Sequence, residues 1–115
     1  MTLEHEFHDD VLVTRFVGEL DTQAADELWD ELAQAIDGKP RAMVLDFAQT
    51  KYIASLGIGL ILRLNAETRA RGIPVRLANV TSRVRMVLDT VNLGLFLPID
   101  KTLERSLQEL SAVHA

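Results

Sequence analysis

Of the side chains able to do chemistry in this sequence, one is set apart by its neighbours. In "YIASLGIGL" (Tyr52 to Leu60), Ser55 stands between a strand-like apolar segment and an apolar run with glycines at 57 and 59. Two uses suit a hydroxyl there. It can cap the helix formed by the following residues, accepting from a free N–H of the first turn. It can also accept a phosphoryl group from another protein, because the unpaired N–H groups and dipole of a helix N-terminus favour a dianion. Each glycine costs about 0.5–1 kcal/mol against alanine inside a helix, so two in the first turns indicate close approach by some other group. The local residues favour the cap and leave the acceptor role open.

The familiar enzyme patterns fail on spacing. The three histidines, His5, His8 and His114, lie at the two ends of the chain. His5 alternates with apolar residues as a strand-face side chain does, and His5 and His8 lack the i, i+4 spacing of a helical zinc pair. A nucleophile elbow needs glycine two before and two after the serine; Ile53 fills the first position and only Gly57 fits. Gly57-Ile58-Gly59 lacks the third glycine of a dinucleotide loop, at Leu62, and has no Lys-Ser/Thr ending of a phosphate loop. The acid pairs Asp9/Asp10 and Asp26/Glu27 read as a turn and a solvated helix face. Neither an acid–base constellation nor a metal or cofactor motif emerges, so the expected protein is not an enzyme and carries no cofactor.

Composition narrows the classes further. The 115 residues fit one domain, 48% apolar and 25% charged, as in an ordinary globular protein. A net charge of -5 with scattered arginines offers no basic stripe for nucleic acid. Without cysteine there is no disulfide framework, thiolate metal site or catalytic thiol. The start, "MTLEHEFHDD", lacks the basic and apolar regions of a signal peptide, and Ile53–Leu62 is too short to span a bilayer. These features lead to the expectation of a cytoplasmic chain without membrane insertion.

The elements that would position Ser55 follow from periodicity. "LEHEF" and "VLVTRFVGEL" predict two antiparallel strands joined at Asp9-Asp10. Asp21 stands as an N-cap before a helix whose core face is Ala25, Leu28, Trp29, Leu32 and Ile36, making Trp29 a core anchor; Gly38, as the left-handed C′ residue, and Pro40 end it. "AMVLDF" is apolar enough to be covered on both faces, and "AQTKY" reads as the loop leading to Ser55. A second helix runs from Ser55 to Arg71, with Arg69 and Arg71 at its negative end and Gly72 and Pro74 closing it. "VRLAN" predicts a strand, "TSRVRMVLDTV" a helix capped at Thr81/Ser82, and "LFLPI" a last edge strand limited by Pro98. Leu103, Leu107 and Leu110 mark a terminal helix from near Asp100. Strands alternating with helices define an α/β fold, with a mostly parallel sheet after the first hairpin.

In order along the chain, "VTRFVGELD", "MVLDF", "IASLGIGLIL" and "TSRVRMVLDTVNLGLFLPI" resemble the STAS domain, and more narrowly the bacterial anti-sigma factor antagonists. The resemblance covers nearly the whole chain and implies a single STAS domain over residues 1–115. It implies a four- to five-stranded mixed sheet with about four helices packed mainly on one face, in a monomer or weak dimer. It also implies a cycle: the unphosphorylated protein binds a serine-kinase anti-sigma factor or related regulator, phosphorylation on serine releases it, and a phosphatase restores it. The family pattern D-S-S-G falls on Ala54, Ser55, Leu56 and Gly57, which makes Ser55 the acceptor and places Asp21, Ala54, Ser55, Leu56, Gly57 and Ile58 on the partner surface. Ala54 stands where the pattern has its acid and Leu56 where it has the second serine, so a base for the transfer would come from the kinase. A second reading keeps the fold without phosphorylation, as an adaptor subunit of a transport or signalling complex, and Ala54 is the residue that favours it.

Overall fold

The structure, a computed structural model, describes residues 1–114, with side chains through Ser111; Ala115, the last residue of the expected domain, lies outside the described residues. Strands β1 (Thr2–His8) and β2 (Val11–Leu20) form the expected antiparallel hairpin, in register from Thr2↔Val17 to His8↔Val11. Asp9 turns the chain with φ 57°, a left-handed conformation that aspartate tolerates better than most residues.

β2 is ten residues long because it serves two neighbours in succession. Val11–Arg15 pairs in parallel with β3 (Ala42–Asp46), and Gly18–Leu20 pairs in parallel with β4 (Thr50–Ile53). The register shifts between Gly18 and Glu19, and Gly18 takes φ 117°, open in practice only to glycine. β3 then pairs with β5 (Val75–Ala78) and β5 with β6 (Ile99–Asp100), both in parallel. The sheet has six strands in the order β1-β2-β3-β5-β6, with β4 beside the far half of β2.

Helices α1 (Thr22–Asp37), α2 (Ser55–Ala70) and α3 (Ser82–Thr90) share one core with one face of the sheet. Leu32, Ile36, Ile61, Leu64, Val84 and Leu88 pack there with Leu12, Phe16, Met43, Leu45 and Leu77. Phe16 and Phe47 stack at 4.8 Å between ring centres. α4 (Leu103–His114) covers the opposite face, with Leu103, Leu107 and Leu110 over Val11, Val13, Ala42, Val44 and Ala78. Every residue of β3 is therefore buried, which explains its continuous apolar reading.

Several expectations are corrected. The sheet has six strands rather than four or five, because Thr50–Ile53, most of which was read as loop, is β4. The last strand is Ile99–Asp100, not Leu95–Ile99; Leu93–Leu95 is a 3-10 turn, with Leu95 and Phe96 exposed. Gly38 has φ -68° and the left-handed residue after α1 is Lys39, at φ 57°. α4 begins at Leu103 rather than near Asp100. Trp29 packs against the core as expected but is half-buried, and the Arg63 guanidinium lies 3.9 Å over its ring.

Candidate functional site

Asp21 and Ser55 are 34 positions apart in sequence but belong to adjacent junctions. Leu20 and Ile53 end β2 and β4 as paired residues, and each strand passes straight into a helix. The Ala54 N–H donates to the Leu20 carbonyl at 2.9 Å, tying the two strand ends together. Asp21 then caps α1, its Oδ1 accepting from Ala24 N at 2.8 Å, as its sequence position predicts. Its Oδ2 has no partner among the described residues.

The second junction differs from its sequence reading. The cap of α2 is Ala54, in extended conformation (φ -91°, ψ 167°), and a methyl group cannot accept a hydrogen bond. Ser55 is the first residue inside the helix, so it is not the cap. Its side chain is exposed, and its hydroxyl has no hydrogen-bond partner among the described residues. The Ala54 carbonyl takes the N–H groups of Gly57 at 2.9 Å and Ile58 at 3.2 Å. The N–H groups of Ser55 and Leu56 remain over, as helix geometry requires when no side chain caps the first turn. A free hydroxyl thus sits beside two free backbone donors at the positive end of a sixteen-residue helix.

Gly57 makes this placement possible. A Cβ built on it would lie 2.8 Å from Leu20 Cγ and 3.0 Å from both Ile53 Cγ1 and the Leu20 carbonyl oxygen. The group approaching Gly57 is the protein's own strand end, which presses against the start of α2. Gly59 is different: a Cβ there would meet nothing within 4 Å. It lines a cavity of about 200 Å³ between α1 and α2 with Ala25, Asp26, Leu56, Leu60 and Arg63.

Of the six residues expected on a partner surface, Ser55 and Leu56 are exposed, Leu56 at 56%, and Asp21 and Ala54 are half-buried. Gly57 and Ile58 are buried where α2 is seated against the strand ends. Sequence reasoning missed the groove that continues from Leu56 to Gly59 and Arg63. The i, i+3, i+7 spacing on one helix face was the available signal.

A six-stranded mixed sheet with helices α1–α3 on one face and α4 on the other, and with two strand-to-helix junctions side by side, defines an α/β domain of known kind. The chain matches the STAS domain model over residues 2–106, and it belongs to the STAS family. It is 28% identical over 114 residues to the anti-sigma F factor antagonist of Paenibacillus polymyxa, across 98% of this chain and 97% of the relative. The anti-sigma factor antagonist SpoIIAA in its unphosphorylated form matches with TM-score 0.81 at 25% identity, over 96% of this chain and 97% of that one. An anti-sigma factor antagonist from Mycobacterium paratuberculosis matches with TM-score 0.84 at 22% identity, over 96% of this chain and 93% of that one. Among the described residues no helix is long and apolar enough to cross a membrane.

Proposed function

We propose that the chain is an anti-sigma factor antagonist-type switch that binds a serine-kinase anti-sigma factor, or a related regulator, while Ser55 is unmodified. The kinase transfers the γ-phosphoryl group of ATP to Ser55 Oγ: the new O–P bond forms, the bond to the β-phosphate oxygen breaks, and ADP leaves. With Ala54 beside the acceptor and no hydrogen bond to its hydroxyl, the proton passes to a base on the kinase. The phosphate adds roughly -1.5 to -2 charge to a chain already at -5, together with bulk at the contact centre. Release of an acidic partner surface follows, and a phosphatase resets the cycle. A loss of about 1.4 kcal/mol is enough for a tenfold change in occupancy.

The observation that carries this reading is the free, exposed hydroxyl of Ser55 at the uncapped first turn of α2. Ala54 favours a second reading, an adaptor that docks by the same surface without modification. Incubation with ATP and each serine-kinase anti-sigma protein of the same organism, read by intact mass, separates them. The switch predicts one phosphate on the wild type and none on Ser55→Ala. No phosphate with any kinase, with partner binding intact in Ser55→Asp, would leave the adaptor.

A further inference from the structure

A cavity of about 650 Å³ opens beyond the carboxyl end of β3, beside Val17 and Gly18 of β2, where β3 leaves β2 and β4 takes its place. It is lined by Val17, Gly18, Ala48, Lys51, Thr81 and Arg83, among others, and none of its lining residues is an acid. We propose that this cavity binds a small ligand bearing a phosphate or carboxylate group, with Lys51 and Arg83 neutralising the anion and Val17 and Ala48 forming an apolar wall for the rest of the molecule.

Three observations converge on it. The divergence of β3 and β4 along β2 leaves an opening there, and its volume lies in the usual range for small-molecule sites. The register shift at Gly18/Glu19 and the φ of 117° at Gly18 make the strand irregular at the cavity wall, as is common beside binding sites. The charges make the third. Arg15, Arg41, Arg71, Arg76, Arg85 and Arg105 are held by carboxylates, and Arg63 lies on Trp29. Lys51 and Arg83 come from different elements, have no carboxylate partner among the described residues, and line the same space. Two cations on a lining without an acid suit an anion, which would offset the repulsion between them.

The inference does not depend on modification of Ser55, and its test uses the unmodified chain. Phenyl phosphate, benzoate and inorganic phosphate are titrated separately into isotope-labelled protein and followed by amide NMR shifts. The expected result is saturable shifts at Val17, Gly18, Lys51 and Arg83 with phenyl phosphate or benzoate, binding more tightly than inorganic phosphate because of the apolar wall. Which of the two aromatic probes binds tighter identifies the anion. In the Lys51→Gln/Arg83→Gln double variant the dissociation constant rises at least about tenfold, as loss of two charge-assisted contacts requires, whereas Arg69→Gln leaves it unchanged. Both cavity cations are exposed, so the double variant keeps the core, and its unchanged spectrum elsewhere verifies this. Absence of saturable shifts with either aromatic probe, or binding that survives in the double variant, overturns the proposal.

Discussion

The strand-to-helix junctions β6–α4 and β4–α2 handle their polar groups in opposite ways. At β6–α4, Asp100 receives two hydrogen bonds from Arg76, at 2.7 and 3.0 Å, and one from the Ser106 hydroxyl at 2.7 Å. Thr102 Oγ1 accepts from Arg105 N at 3.1 Å, so the first turn of α4 is capped. The Arg76 guanidinium holds the Asp100 carboxyl below its usual range against the opposing effect of burial, and the Ser106 hydroxyl adds to this. At β4–α2, alanine stands at the cap, the serine hydroxyl is free, and two first-turn N–H groups have no intrahelical acceptor. The first junction is closed by its own side chains and holds the sheet edge together. The second leaves the Ser55 hydroxyl without a partner among the described residues and its first turn without a side-chain cap.

The contrast can be broken most strongly from the closed side. Asp100→Ala removes three hydrogen bonds and leaves Arg76 and the buried Ser106 unpaired; a loss of about 2–4 kcal/mol is expected in urea unfolding. Because the folded-state value of Asp100 is depressed, its ionised form stabilises the fold fully above the ordinary carboxyl range. That contribution is lost as pH falls through the lower folded value, so wild type and Asp100→Asn converge in stability on acidification. A gap that widens in acid would contradict the assignment.

On the open side, the tight seat of α2 is tested by Gly57→Val. Its Cβ meets the Leu20 backbone, which cannot move aside cheaply, and a loss of about 1–3 kcal/mol is expected by the same measurement. Ala54→Asp converts the open junction toward the closed kind by supplying the missing cap. It should gain about 1 kcal/mol, and no gain would mean that the first-turn donors are already satisfied. Gly59→Ala, with open space around its Cβ, should stabilise α2 by about 0.5–1 kcal/mol.

How far these junctions could be read in advance depended on whether their interactions were local. The cap at Asp21, the hairpin at Asp9-Asp10 and the buried strand Ala42–Asp46 were legible because neighbouring residues determine them. β4 was not, since only Thr50 and Ile53 of its four residues are buried and its partner is the end of β2, about thirty positions away. Missing β4 hid the position of Ser55, because the strand running to Ile53 is what puts the cap on Ala54. The apolar run at Leu95–Ile99 misled for a related reason: Leu95 is 82% exposed, and apolar type alone does not specify burial. Lys51 and Arg83 lie 32 positions apart, and only the folded sheet brings them to one cavity.

In the proposed switch, the open junction is a contact surface controlled by one phosphate. It is tested most directly by the affinity of the chain for the proposed serine-kinase anti-sigma factor, measured calorimetrically with Ser55 unmodified and with Ser55 stoichiometrically phosphorylated. A dissociation constant at least about tenfold higher is expected for the phosphorylated form, equivalent to about 1.4 kcal/mol. Equal affinity of the two forms would contradict it.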